Sequence, residues 1–149
     1  MTDFDYQPLG RVVFGPGTLD RLGELTAGLG ISRVLLVTDP GLQSVGHPER
    51  AARSLREAGL AVFTFMGVKE NPTEKEVDAG VAVARMHAVN GIVAVGGGSS
   101  MDCAKGVNFI LTNGGRMPDY KGHGKATKPM LPSVGVPTTA GTGSEAQSY

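Results

Sequence analysis

Two segments of this 149-residue chain carry residue types whose spacing suits the binding of an anion. The first is Gly96-Gly-Gly-Ser99, directly after the apolar run Ile92-Val-Ala-Val95. Three glycines at a strand-to-helix junction let backbone approach a ligand with no side chain in between. The N–H groups that open the following helix, with their partial positive charge, suit a pyrophosphate. A tight turn followed by a Ser99–Asp102 capping box explains the same residues without a ligand, although three consecutive glycines exceed what a turn needs. The segment is not Gly-x-Gly-x-x-Gly, because Met101 stands sixth, so the usual dinucleotide fingerprint is absent. The second segment is Pro137-Thr-Thr-Ala-Gly-Thr-Gly-Ser-Glu145. Its hydroxyls and glycine-exposed amides suit contact with phosphate or adenine, with a plain polar loop as the alternative.

Other candidate residues also follow apolar runs. Asp39 ends Arg33-Val-Leu-Leu-Val-Thr38, where an acid can accept hydrogen bonds from ribose hydroxyls. Its charge would repel a 2′-phosphate and so favour NAD over NADP. Asp-Pro-Gly is equally a turn tripeptide. Asn71, before Pro72, is a candidate only through its position after a strand. His47, His87 and His123 show no metal-ligand spacing with one another or with an acid; His87 ends a helix, where it can interact with the last carbonyls. Cys103 lies on the first turn of a helix, which can lower a thiol pKa, but a small buried apolar residue is the simpler reading. Arg116, Lys121, Lys125 and Lys128, opposed by Asp119, read as a solvated basic loop.

These residues need elements to position them. The β-branched run at 11–14 predicts a short N-terminal edge strand closed by Gly15-Pro16-Gly17. Thr18 reads as an N-cap, with Leu19, Leu22 and Leu25 at helical spacing. Residues 33–38 read as a strand buried on both faces. A helix is expected over 48–58, with Ala51, Ala52 and Leu55 inward. Residues 61–66 predict the next strand. Thr73 and Glu76 form a capping-box pattern opening a helix that lines up Val77, Val81, Ala84 and Ala88. Residues 92–95 predict a third buried strand, followed by a helix from Ser99 to about Thr112. After a polar loop over 113–131, Val134-Gly-Val136 predicts a fourth buried strand. Strands alternating with helices predict an α/β fold with a mostly parallel sheet flanked by helices.

Composition narrows the classes further. Leu, Ile, Val and Phe together exceed the roughly 20% below which disorder is expected. Lys plus Arg and Asp plus Glu both number 14, so the basic excess of a nucleic-acid binder is missing. One cysteine excludes a disulfide framework and a cysteine-based zinc cluster. No apolar run reaches the ~18 residues of a membrane span. The acidic start lacks a signal-peptide pattern, so a cytoplasmic location is the expectation. Glycine, at 23 residues, is about twice its usual 7% share, while aromatics are scarce. With no repeat and no linker, residues 1–149 read as one domain.

Taken together, the motifs resemble the iron-dependent (group III, metal-dependent) alcohol dehydrogenases. Gly96-Gly-Gly-Ser-Ser-Met-Asp-Cys-Ala-Lys-Gly106 and Pro137-Thr-Thr-Ala-Gly-Thr-Gly-Ser-Glu145 carry the likeness. Phe14-Gly-Pro-Gly17, Thr38-Asp-Pro-Gly41 and Glu70-Asn-Pro-Thr73 follow the family order. The resemblance implies a Rossmann-like, doubly wound N-terminal dinucleotide-binding domain of an oxidoreductase. It implies that Gly97, Gly98 and Ser99 hold the pyrophosphate of NAD and that Asp39 faces the adenosine ribose with Asn71 beside it. Thr138, Thr139 and Thr142 would contact the adenine side and the phosphates, and Asp102 is a motif residue of capping or cofactor role. The implied reaction moves hydride between nicotinamide and a small alcohol, aldehyde or ketone. The divalent metal, iron or zinc, belongs to a helical C-terminal domain, so the chain reads as ending before its metal site and inactive alone. A homodimer joined through Val12-Val-Phe14 is the implied assembly, with no nucleic-acid or membrane partner. Alternatives are a dehydroquinate-synthase-like non-redox domain and a stand-alone nucleotide-binding module.

Overall fold

A computed structural model describes residues 10–120 and 124–145. Four strands, β1 (Arg33–Thr38), β2 (Ala61–Phe65), β3 (Gly91–Gly96) and β4 (Ser133–Pro137), form one sheet in the order β2-β1-β3-β4. All three pairings are parallel, with Val37 opposite both Phe65 and Ala94, and Ala94 opposite Gly135. Parallel neighbours require crossovers, and helices supply them. Helix α2 (His47–Glu57) joins β1 to β2, α3 (Glu74–Met86) joins β2 to β3, and α4 (Gly98–Asn113) leads from β3 towards β4. The chain enters the sheet through α1 (Leu22–Ala27).

Side chains on a strand alternate between faces, and here each face has its own core. Val34, Leu36, Val93 and Val95 pack with Leu22, Ala51, Ala52 and Leu55 under α1 and α2. Leu35, Val37, Ile92 and Ala94 pack with Val77, Val81, Ala84, Met101, Cys103 and Val107 under α3 and α4. Two-sided burial explains why the central strands read as continuous apolar runs. Helices α3 and α4 approach closely where Gly80 faces Val107; a Cβ on Gly80 would lie 2.6 Å from the Val107 side chain.

Four expected features differ. Residues 11–14 form no strand, and Val12 and Phe14 are almost fully exposed. No described strand lies beside them, so the ladder that would fix them is missing. Strand β4 is half-exposed rather than buried, because it is an edge of the described sheet. Ala88 is exposed, because α3 has already ended at Met86 and Ala88 adopts φ 46°. Thr18 also does not cap: it opens a 3-10 helix (Thr18–Arg21) whose N-cap is Gly17, and its hydroxyl donates to the Gly15 carbonyl at 3.1 Å.

Thr73 does cap α3. Its N–H and hydroxyl both donate to Glu76 Oε2, at 2.8 and 2.6 Å, and its hydroxyl accepts from the Lys75 N–H. Lys69 lies 3.4 Å from the other carboxylate oxygen.

The long connection into β4 is anchored by two amides on α4. Asn108, buried, accepts from the Leu131 N–H and donates to its carbonyl, both at 2.9 Å. Asn113 Oδ1 accepts from the N–H groups of Thr127 and Lys128. These clamps fix where β4 starts and hence where its far end lies. Among the described residues no helix is long and apolar enough to cross a membrane.

Two stability tests follow from these contacts. The Thr73 hydroxyl and N–H hold the Glu76 carboxyl down to about 2 from its ordinary 4.5. A depressed carboxylate contributes stability above its unfolded pKa and loses it as pH falls through the folded value. Wild type should therefore exceed Glu76→Gln in urea midpoint at pH 6, with the gap closing between pH 4.5 and 2. Asn108→Ala strips two part-buried backbone groups of Leu131 of their partners and should cost about 1 kcal/mol in urea unfolding.

Candidate functional site

The C-terminal ends of parallel strands are where an α/β sheet binds ligands, at the point where strand order reverses. Here the order reverses between β1 and β3, since β1 leads outward to β2 and the chain then returns to β3 on the other side. Asp39 follows β1, and Gly97 and Gly98 follow β3. The hydroxyl-rich segment follows β4.

Strand β3 ends at Gly96 with φ 154°, a conformation that side chains oppose. Gly97 is the N-cap of α4, and no side chain caps that helix. The first N–H groups of a helix have no carbonyl within the helix to pair with, so α4 presents uncapped donors there. The Thr138 N–H donates to the Gly96 carbonyl at 2.8 Å, which draws the segment after β4 against the glycine turn. A Cβ on Gly97 would lie 3.2 Å from the Thr139 methyl. One on Gly98 would lie 3.4 Å from Ser144 Oγ and 3.6 Å from Thr142 Cβ. The glycines make a floor and residues 138–144 a wall, turned by Gly141 and Gly143 at positive φ.

Asp39 belongs to the same place. Its backbone carbonyl starts the turn by accepting from the Leu42 N–H, and a 3-10 helix (Pro40–Val45) follows. The carboxylate caps nothing in that turn. Instead Asp39 Oδ2 accepts from Ser100 Oγ at 3.4 Å, linking the ends of β1 and β3.

The structure thus gathers Asp39, Gly97, Gly98, Thr138, Thr139 and Thr142. Ser99 sits on the first turn of α4, half-buried, but is not its N-cap, because the helix already begins at Gly98. The Ser99–Asp102 capping box therefore does not form, and Asp102 is exposed. Asn71 is exposed at φ 51°, and no described contact ties it to the glycine turn. Two serines were not singled out from sequence. Ser100 and Ser144 are both buried against this turn. Ser100 stands four residues after Gly96, one helical turn on, which brings its side chain back over the strand end; that spacing is the signal that marks it.

The remaining candidates are structural. His87 ends α3 and stacks on Phe63 with ring centroids 4.0 Å apart, while its carbonyl accepts from Arg33 Nε. His47 is exposed. Arg116 pairs with Glu74 at 3.1 Å, and Lys125 donates to the Asp119 carbonyl. Lys121 and His123 lie outside the described residues. A cleft between α4 and β4, lined by Met101, Lys105, Asn108, Met130, Val134 and Glu145, lies beside the site rather than in it. Among the described residues no group of three His, Cys, Asp or Glu side chains gathers to hold a metal ion.

Comparison with known proteins identifies the family and the fold. Residues 10–149 match the family model described as iron-containing alcohol dehydrogenase. The NAD-dependent methanol dehydrogenase of Bacillus methanolicus is 40% identical over 148 residues, which is 99% of this chain and 38% of that one. A solved 1,3-propanediol oxidoreductase superposes with TM-score 0.88 at 43% identity, covering 97% of this chain and 38% of its own. Sulfoacetaldehyde reductase from Bifidobacterium kashiwanohense, solved with NAD+, gives TM-score 0.80 at 33% identity over 98% of this chain and 39% of its own. The chain spans about two fifths of the length of these relatives.

Cys103 gives a direct test of the local packing. Burial first, and then the nearby Glu76 charge, push its thiol up to about 11. Only thiolate reacts readily, so iodoacetamide at pH 8 should leave native protein unlabelled by mass spectrometry and label it fully in denaturant.

Proposed function

The chain belongs to the iron-containing alcohol dehydrogenase family, and from that premise we propose that it is a dinucleotide-binding domain that holds NAD for hydride transfer to or from a small alcohol or carbonyl compound. The observation that carries the reading is the meeting of the two motifs. The glycine turn after β3 and the hydroxyl segment after β4 are some forty residues apart, yet the Thr138–Gly96 hydrogen bond seats one on the other.

The residues fit the cofactor. A Cβ on Gly97 would crowd the Thr139 methyl and one on Gly98 would touch Ser144 and Thr142, so these glycines let the wall pack closely on the turn and leave backbone N–H groups uncovered for a pyrophosphate. The uncapped start of α4 supplies N–H donors and partial positive charge to that anion. Ser99, on the first turn, adds a hydroxyl. Thr138, Thr139 and Thr142 would line the opposite side of the phosphates and the adenine approach. Asp39 would accept from the adenosine ribose, and Asn71 would flank it from the end of β2. The Asp39 charge favours NAD over NADP, because a 2′-phosphate would face a carboxylate at close range. Asp102, exposed just past the first turn of α4, would flank the cofactor from that side.

Bound NAD supplies a two-electron carrier that accepts or returns a hydride. This chain's part is to bind it, orient it and hold its phosphates. The family's divalent metal, iron or zinc, finds no set of ligands among the described residues.

Calorimetric titration tests the reading. NAD should bind the folded chain saturably. Gly98→Val, whose side chain would drive into Ser144 and Thr142, should weaken binding at least about tenfold with an unchanged circular dichroism spectrum. A folded wild-type chain without NAD binding, or a Gly98→Val variant that binds as wild type, would defeat the proposal.

A further inference from the structure

We propose that Ser100 is a positioning residue for cofactor selectivity, its buried hydroxyl setting the Asp39 carboxylate in the orientation that receives a ribose diol and turns away a 2′-phosphate. The inference rests on the reading of Asp39 as the ribose acceptor and extends it to a residue that would not touch the cofactor.

Three observations converge. Ser100 is 1% exposed, and its Oγ donates to Asp39 Oδ2 at 3.4 Å across 61 positions of sequence. The space that this bridge crosses is kept clear by Gly96. A Cβ on Gly96 would collide with Ser100 Oγ and would stand 3.3 Å from Asp39 Oδ2. Gly41 keeps the second carboxylate oxygen uncrowded, because a Cβ there would lie 3.0 Å from Asp39 Oδ1. Asp39 is therefore held at one oxygen by a donor while the other stays open to a ligand, and it has no capping duty to compete with this placement.

The chemistry of the donor matters. A hydroxyl orients a carboxylate without neutralising it, whereas a lysine or arginine partner would cancel the charge. Asp39 keeps its full negative charge towards an incoming phosphate and spare lone pairs for two ribose hydroxyls. Fixing the carboxylate before binding also removes part of the ordering cost that binding would otherwise carry.

A double-mutant cycle read by calorimetry with NAD and with NADP separates this from a structural role. Asp39→Ala should weaken NAD and narrow the NAD-over-NADP preference. Ser100→Ala should weaken NAD about fivefold, the scale of one net hydrogen bond, and narrow the preference in the same direction. In the Asp39→Ala background Ser100→Ala should then change neither affinity, since nothing remains to orient. If Ser100→Ala does not fold, Ser100→Cys, close in shape with a weak donor, takes its place. Wild-type affinities in the Ser100 variant, or an equal loss with and without Asp39, would overturn the inference while leaving Asp39 in place. An Asp39→Ala variant with an unchanged NAD-to-NADP ratio would remove the ribose reading itself, and Ser100 with it.

Discussion

Val34, Leu35, Leu36 and Val37 are all closed to solvent, and β3 is buried along its whole length. With helices on both faces of these strands, neither face has room for a ligand. Each fully buried side chain of this size contributes about 2 kcal/mol, so opening either face would dismantle the core. Chemistry is left with the strand ends. At the carboxyl end, chain reversals expose backbone donors and helix starts; this is where Asp39, Gly97, Gly98 and the segment 138–144 converge.

The convergence depends on parts remote from it. Asn108 pins Leu131 from within α4, and Asn113 holds Thr127 and Lys128. Together they deliver β4 in register with β3, so that Gly96 and Pro137 end side by side. Thr138 then continues the ladder by one bond to Gly96. The same helix that supplies the anion-facing N-terminus therefore also fixes the wall opposite it. Two amides in the C-terminal half of α4 link stability to site geometry.

Much of the fold was legible because both cores leave a pattern. The apolar runs at 33–38 and 92–95 fall within β1 and β3, and Thr73 with Glu76 forms the capping box that its spacing implies. Ser99 and Asp102 share that spacing and do not form one. Gly98 is already helical, which puts Ser99 one place inside the helix, so an otherwise valid motif is out of step. The run at 11–14 has strand composition but no described neighbour to pair with. Val134 and Val136 read as buried, yet they lie on an edge of the described sheet, and a strand's own residues do not tell whether another strand stands beside it. In the site, residue types that announce anion chemistry were readable. Ser100 and Ser144 were not, because a buried serine differs from an exposed one only in what surrounds it.

What the sequence determined by itself was local: which runs are buried on both faces, where helices start and stop, and which glycines and hydroxyls follow strands. Hydrophobic periodicity, capping chemistry and φ preferences act within a few residues, so they are written in neighbouring letters. The tertiary structure alone decided which strand ends lie together, that the Asp39 carboxylate meets Ser100 rather than its own turn, and that the glycine turn meets Thr139 and Thr142. Those contacts join residues tens of positions apart. They exist because parallel pairing puts β1, β3 and β4 side by side, and local preferences carry no record of strand order.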